Sequence, residues 1–245
     1  MSFCARHMAP IGRACPVALV ALGLACAAQA SERATFDVRI AGLTVGYVAY
    51  AAETDGARYV ARSEVRSTGL AAAVRPFRFE SRVEGQIAQG QLRPSRYEEN
   101  ADTGARQSRV RMAYSGGVPQ ILDARDDQDN PNVTPADPAS QGGSLDPMSV
   151  TYALLRDRPA GPDACRIDLD MFDGIRATRL AMRPSDDPLV CEGVYTRVEG
   201  FSPSDMAERN RFPIKITLSD AAPGLLEVKS ISLQTLIGPA TLQRR

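Results

Sequence analysis

CRIDLDMFDGIRATRLAM, residues 165–182, is the stretch of sequence that most clearly indicates the fold. Apolar and polar residues alternate on both sides of Asp173-Gly174, a dipeptide that favours a two-residue β-turn. A turn of that length would place Asp168 opposite Arg179. The apolar residues of both strands then share one face, namely Cys165, Ile167, Leu169, Leu180 and Met182. The stretch therefore predicts an antiparallel hairpin with one face against a core.

The same alternation recurs along most of the chain after residue 35. Its clearest example is residues 77–84, where aromatic or small residues alternate with charged ones, and turn-forming residues separate the successive segments. Predicted strands cover residues 36–47, 59–66, 77–83, 92–100, 106–114, 118–123, 165–182, 190–199, 212–218 and 225–236. The pattern predicts a mainly β protein whose single antiparallel sheet is curved, as a half-barrel or a barrel.

One substantial helix is predicted directly after Asp146, because aspartate caps helix N-termini and Pro147 suits the first helical position. Its apolar side chains fall on one face, so we expect the helix to pack against the sheet. A shorter helical turn is expected over residues 69–74. Between these two segments, residues 123–147 have no periodicity and are rich in Asp, Pro and Gly, which predicts a long acidic loop that is mobile or functional.

The N-terminus has the layout of a cleaved signal peptide. Arg6 and Arg13 precede a short apolar run, and Ala28-Gln29-Ala30 forms a small-residue cleavage site. We therefore expect cleavage near Ala30, a periplasmic protein, and a single β-rich domain over residues 31–245 with no transmembrane segment. Lipidation at Cys26 is the alternative, although Gly23-Leu24-Ala25 fits a lipidation motif poorly.

Cysteine usage agrees with an exported protein. Cys165 and Cys191 are the only cysteines after residue 30. Two cysteines in an oxidising compartment are expected to pair, so the sequence predicts a Cys165–Cys191 disulfide.

Charge and histidine content exclude several functions. Loss of Arg6 and Arg13 with the signal peptide leaves 27 basic against 29 acidic side chains. The protein therefore lacks the excess of positive charge that nucleic-acid binding requires. The single histidine, His7, is lost as well, which removes Ser-His-Asp and Cys-His nucleophile systems and histidine-containing metal sites. No nucleotide-binding glycine motif is present, so we expect no cofactor, no metal and no catalytic residues.

Two carboxylate groups are the remaining candidates for chemistry. Asp168 and Asp170 share one face of the predicted hairpin near Asp173, where they could act as acid and base, although a solvated face paired with arginines is the favoured interpretation. A second group in the long loop could hold calcium, but it lacks the glycine and glutamate of calcium-binding loops. It consists of Asp123, Asp126, Asp127 and Asp129.

Three short motifs resemble one known family. They are Leu145-Asp146-Pro147-Met148-Ser149, Asp173-Gly174-Ile175-Arg176, and CEGVYTRVEGF at residues 191–201. With these motifs the chain resembles the proteobacterial exported family catalogued as domain of unknown function 3108. The resemblance implies an exported, β-rich protein of unassigned activity and identifies no catalytic residues. A looser likeness, of fold alone, is to the half-barrel carriers of lipoproteins between bacterial membranes.

Binding is therefore the favoured function. A curved sheet covered by one helix can leave an apolar cavity for a lipid or acyl chain, although the same side chains could simply fill the core. The candidate cavity residues are Phe36, Val38, Tyr47, Phe77, Phe79, Met112, Tyr152 and Ile214. A protein-interaction module of the cell envelope and a carboxylate-dependent hydrolase are the alternatives.

Overall fold

The computed structural model of the protein describes residues 29–74, 76–104, 107–126, 131–236 and 238–245. These residues form fourteen strands and three α-helices. The strands are β1 (Gln29–Ile40), β2 (Leu43–Asp55), β3 (Arg58–Ser67), β4 (Arg78–Ala88), β5 (Gln91–Asp102), β6 (Gln107–Ser115), β7 (Val118–Asp126), β8 (Arg158–Pro159), β9 (Ile167–Phe172), β10 (Ala177–Pro184), β11 (Val190–Glu199), β12 (Arg211–Ala222), β13 (Leu225–Thr235) and β14 (Gly238–Arg244). The helices are α1 (Gly69–Val74), α2 (Pro147–Leu155) and α3 (Pro203–Glu208).

The strands build one antiparallel sheet, which confirms the predicted mainly β fold. Their order is β7-β6-β5-β4-β3-β2-β1-β14-β13-β12-β11-β10-β9, and the short β8 pairs with β13. The sheet is not closed, because no ladder joins β7 to β9 within the described ranges. The strands from β1 to β7 lie in chain order in the sheet, and so do the strands from β9 to β14.

The exception to this order is the pairing of β1 with β14, which places the first and last described strands side by side. The last predicted strand ended at Leu236, so β14 was not predicted. Residues 238–245 contain only one large apolar residue, Leu242, so they show no alternating signal. Hydrogen bonding to β1 and β13 forms this strand instead.

Helix α2 lies inside the curve of the sheet. It contacts β3, β4 and β5 on one side and β9 and β13 on the other. Ten strand spacings separate β5 from β9, about 48 Å if the sheet were flat. Because one nine-residue helix touches both, the sheet must wrap around it. Met148, Tyr152 and Leu155 of the helix are buried in the core, as predicted.

Helices α2 and α3 each begin with a side-chain cap, and the cap of α2 at Asp146 was predicted. The Asp146 carboxylate accepts hydrogen bonds from the backbone N–H of Ser149 (2.8 Å) and from its hydroxyl (2.6 Å). Ser202 and Asp205 form a reciprocal capping box at the start of α3.

The hairpin of β9 and β10 differs from the predicted register by two residues. Asp168 lies opposite Ala181, and Arg179 lies opposite Asp170. The cause is a longer turn, in which the Asp173 carboxylate accepts from the backbone N–H groups of Ile175 (2.9 Å) and Arg176 (2.6 Å). A shift of two residues keeps each side chain on its face, so Leu180 and Met182 are buried as predicted.

The predicted disulfide between Cys165 and Cys191 is present, and both residues are buried. Their Cα atoms lie 5.1 Å apart, an ordinary separation for a cystine. The bond ties the segment before β9 to β11, across the intervening strand β10. A disulfide is compatible with an exported protein.

The described residues of the predicted acidic loop lie between the two ends of the sheet, and the predicted lack of regular structure holds only in part. Strand β7 extends through Asp126, and a short 3-10 turn spans Pro138–Ser140. The backbone N–H of Gly143 donates to Gly117 beyond β6 (2.9 Å). Leu145 donates to Asp170 of β9 (2.9 Å) and accepts from Phe172 (2.8 Å). These bonds occupy part of the gap that the sheet leaves between β7 and β9.

Some of the predicted features involve residues outside the described ranges. Residues 1–28 of the predicted signal peptide are among them, as are Asp127 and Asp129 of the acidic loop. Strand β1 begins at Gln29, two residues before the expected mature N-terminus.

Candidate functional site

An apolar pocket of about 400 Å³ lies between α1 and the sheet, at the end where β1 turns into β2. Apart from Arg66 and Ser67, every lining residue is apolar. The lining consists of Val38, Ile40, Val45, Gly46, Val65, Arg66, Ser67, Ala71, Val74 and Phe77. We refer to this cavity as the apolar pocket.

Local sequence explains how α1 comes to cover the pocket. The backbone N–H of Thr68 donates to Val45 (3.0 Å), and that of Ser67 donates to Phe77 (3.0 Å). The Ser67 hydroxyl accepts from the N–H of Phe77 (2.9 Å). These bonds fix both ends of the connection between β3 and β4, so the helix between them is held over the sheet.

Gly46 forms the floor of the pocket and allows β2 and β3 to approach closely. A Cβ at this position would lie 2.1 Å from the carbonyl oxygen of Arg66, which no side chain tolerates. Position 46 therefore requires glycine for the close packing of these two strands.

The electrostatics of the apolar pocket favour an uncharged ligand. Arg66, its one ionisable residue, forms ion pairs with Glu64 and, at 3.8 Å, with Glu80. The two glutamates neutralise the charge of the guanidinium group, so the pocket offers no unpaired charge to a ligand. The hydrophobic effect remains as the driving force for binding, at roughly 0.8 kcal/mol for each methylene removed from water.

Seven of the eight predicted cavity residues divide into three groups. Val38 and Phe77 line the apolar pocket. Phe36, Met112 and Tyr152 are fully or almost fully buried in the core. Phe79 and Ile214 are half-buried outside the lining, where Phe79 lies opposite Val65 and Ile214 opposite Leu233.

Tyr47 lies on the outer face of the sheet, so the inward position predicted for it is wrong. Its hydroxyl donates to Glu64 (3.1 Å), and the Arg245 guanidinium lies over its ring. The inward residues of β2 are instead Val48, Tyr50 and Ala52. A register shift in the β1–β2 ladder accompanies this change of face, because Gly46 pairs with Val38 and Thr44 with Arg39, which leaves Val45 of β2 as the extra residue.

Sequence reasoning missed most of the pocket wall. Ile40, Val45, Val65, Ala71 and Val74 line it, although none was among the candidates. The available signal was the segment from Gly69 to Val74, a predicted helical turn without a single polar side chain.

A second cavity, of about 900 Å³, lies beside the β4–β5 and β6–β7 turns and has a different character. Its lining includes the charged residues Arg58, Glu84 and Arg93 together with Gln86 and Gln91. Such a mixed lining suits water or a polar solute better than a lipid.

Beside this second cavity lies a buried polar network. The hydroxyl groups of Tyr59 and Ser149 are 2.8 Å apart, and Ser149 also donates to the Asp146 carboxylate. Burial raises the pKa of Asp146 to about 6. Burial likewise raises the pKa of Tyr114, whose hydroxyl has no hydrogen-bond partner among the described residues.

The carboxylates considered for catalysis are exposed and paired with arginines. Arg179 lies 2.8 Å from Asp168 and 3.1 Å from Asp170, and Arg183 lies 3.8 Å from Asp168. Asp123, which was considered for calcium, is half-buried and forms ion pairs with Arg111 (3.7 Å) and Arg125 (3.5 Å). In the described ranges, no three His, Cys, Asp or Glu side chains are grouped to hold a metal.

None of the helices in the described residues is long and apolar enough to cross a membrane.

Comparison with known proteins identifies a family and a structural likeness. The family model described as "Protein of unknown function (DUF3108)" matches residues 35–186. No curated protein matches the sequence. A crystal structure from Brucella abortus, a β-barrel-like protein of domain of unknown function DUF1849, is similar at 12% identity and a TM-score of 0.44. The alignment covers 87% of this chain and 94% of that one.

Proposed function

The chain belongs to the DUF3108 family of proteins of unknown function, and from that premise we propose that it is an exported, non-enzymatic protein that binds a lipid or acyl chain in the apolar pocket. The bacterial cell envelope is its proposed location, with the periplasm as the compartment.

One observation carries this proposal, namely the chemistry of the apolar pocket. Its volume of about 400 Å³ is within the range of small-molecule sites. Its lining offers no unpaired charge and, apart from Arg66, Ser67 and Gly46, consists of aliphatic side chains and one aromatic ring. A hydrocarbon chain is the ligand class that such a surface recognises, because every methylene it covers leaves water.

Two further observations support export. The Cys165–Cys191 disulfide is of a kind that forms and persists in oxidising compartments. The first thirty residues have the composition of a signal peptide.

The experiment that tests the proposal compares two substitutions in the same short helix. Ala71 lines the pocket, whereas Ala73 of α1 is exposed and outside the lining. We expect Ala71→Trp to fill the pocket and abolish binding of a fluorescent fatty acid in solution. Ala73→Trp should bind the probe like the unsubstituted protein.

Thermal unfolding of both variants shows whether the fold is intact. Mass spectrometry of an organic-solvent extract of the purified protein provides an independent measurement. An unsubstituted protein that neither binds the fatty acid nor yields a lipid on extraction would refute the proposal.

A further inference from the structure

An exposed apolar surface surrounds the mouth of the apolar pocket. Leu70 and Val74 of α1 are each 86% exposed, Leu43 in β2 is 73% exposed, and Phe77 is 36% exposed. We call these four residues the apolar tip. Val74 and Phe77 also line the pocket, so the exposed surface and the cavity are continuous.

The segments that carry Leu43, Leu70 and Val74 contain no charge, whereas Arg75 directly follows Val74 in the sequence. Neither residues 40–46 nor residues 67–74 include an ionisable side chain. Every side chain of α1 is apolar, yet the helix has no buried residue. A helix that is apolar all round is expected to lie in an apolar medium, and protein surfaces in water rarely cluster such side chains.

Arginines border the residues of the tip in the sequence. Arg39 precedes the turn into β2, Arg66 precedes α1, and Arg78 follows Phe77. Arg66 and Arg78 are paired with Glu64 and Glu80. Arg39 is exposed and makes no ion pair with the described part of the chain. Apolar residues bordered by arginine are typical of segments that enter the interface of a bilayer with anionic lipids.

We propose that the apolar tip inserts into the surface of a lipid bilayer and presents the mouth of the apolar pocket to the hydrocarbon region. This inference rests on the proposed function, since it identifies the bilayer as the source or destination of the bound chain. A lipid surface fits the tip because its four side chains are apolar and exposed, and two of them also line the pocket. The small apolar area makes the attachment reversible.

The test uses tryptophan as a reporter, because the chain contains none. Leu70→Trp places a single indole in the tip, and Leu122→Trp places one on β7, where Leu122 is 57% exposed. Vesicles of phosphatidylcholine with phosphatidylglycerol should shift the emission of Leu70→Trp to shorter wavelength. Brominated acyl chains should quench it. The emission of Leu122→Trp should stay unchanged in both measurements.

A charge in the tip provides the second variant. Adding Val74→Glu to Leu70→Trp should reduce vesicle binding by about tenfold or more, because a carboxylate resists transfer into the bilayer. Leu70→Trp with and without Val74→Glu have the same N-terminal residues, so any membrane binding by an uncleaved signal peptide contributes equally to both. Circular dichroism verifies that both are folded.

Failure of the inference and failure of the proposed function give different results. Folded Leu70→Trp that shows neither an emission shift nor quenching with vesicles overturns the inference, even when fatty acid binds in solution. Vesicle binding that Val74→Glu leaves undiminished also overturns it. Vesicle binding through the tip, by a protein that neither binds fatty acid in solution nor yields a lipid on extraction, supports the inference and refutes the proposed occupancy of the pocket.

Discussion

The hydroxyl group of Tyr59 lies 2.8 Å from the hydroxyl group of Ser149, and the two residues are 90 positions apart in the sequence. The contact joins strand β3 to helix α2 inside the core, where the ring of Tyr59 also stacks on Tyr152. The helix is therefore attached to the sheet by a polar bond as well as by packing.

Removal of this hydroxyl group should be measurable. Tyr59→Phe keeps the ring but loses the bond, so we expect the free energy of unfolding to fall by about 1 kcal/mol. Urea unfolding measures the change. Tyr47→Phe is the matched control, because the Tyr47 hydroxyl lies on the outer face and its loss should have little effect. Equal losses in the two variants would contradict the placement of these tyrosines.

Asp146 should make stability depend on pH. Burial raises its pKa from 3.8 to about 6 in the folded state. Between these values the folded protein binds more protons than the unfolded chain, so the free energy of unfolding falls as pH rises through that window. The total loss is on the order of 3 kcal/mol.

Asp146→Asn isolates this effect, because asparagine also caps helices but does not titrate. The stability of Asp146→Asn relative to the unsubstituted protein should increase from pH 4 to pH 7, measured by urea unfolding. Parallel pH profiles of the two proteins would show that Asp146 does not titrate in this range.

Loss of the disulfide should destabilise the fold. The cystine closes a loop with a sequence separation of 26, which corresponds to about 3.5 kcal/mol in the chain-entropy model. Cys165→Ala with Cys191→Ala should lower the free energy of unfolding by roughly this amount. The unsubstituted protein should fall to a similar value when a reducing agent is present. A double variant as stable as the oxidised protein would contradict the prediction.

Gly193 should not tolerate a side chain. A Cβ at this position would lie 2.2 Å from the carbonyl oxygen of Ala181 and 2.9 Å from the Cα of Met182. Gly193→Ala would separate β10 from β11, at a cost of about 1–3 kcal/mol. Gly142→Ala is the control, since its nearest neighbour would be 3.7 Å away. Thermal unfolding should distinguish the two, and an unaffected Gly193→Ala protein would refute the close approach of the strands.

Strand β14 should contribute to the core through Leu242, which lies opposite Val38 of β1 and Ile231 of β13. Leu242→Ala should cost about 2 kcal/mol in unfolding free energy, because this half-buried side chain packs against the core. Gln243→Ala, on the opposite face of the same strand, should cost much less. Equal costs would mean that the packing of this strand differs from that described.

Alternation and capping signals are local, so the sequence predicted them well. Phe77 to Glu84 gave a strand because side chains two residues apart share a face in any β-strand. Asp146-Pro147 gave the start of α2 because a cap depends on neighbouring residues alone. The cystine followed from the two cysteines that remain after the predicted signal peptide.

The apolar pocket could be predicted only in part. Val38 and Phe77 were identified, but Tyr47 was assigned to the wrong face. Residues on both faces of β2 are apolar, so alternation alone could not show which face points inward. The observed register of β2 against β1 and β3 places Val48 inward, opposite Phe36 and Val65.

By itself the sequence determined the mainly β class, most strand positions, the start of α2 and the pairing of Cys165 with Cys191. Only the tertiary structure decided the turn that sets the β9–β10 register, the pairing of β14 with β1, and the cover that α1 forms over the apolar pocket. The pairing of β14 and the cover formed by α1 depend on hydrogen bonds and shared burial between residues far apart in the chain, and a local pattern carries no information about such partners. The β9–β10 turn is local, but turns that differ by two residues in register place the same side chains on the same faces, so alternation could not distinguish them.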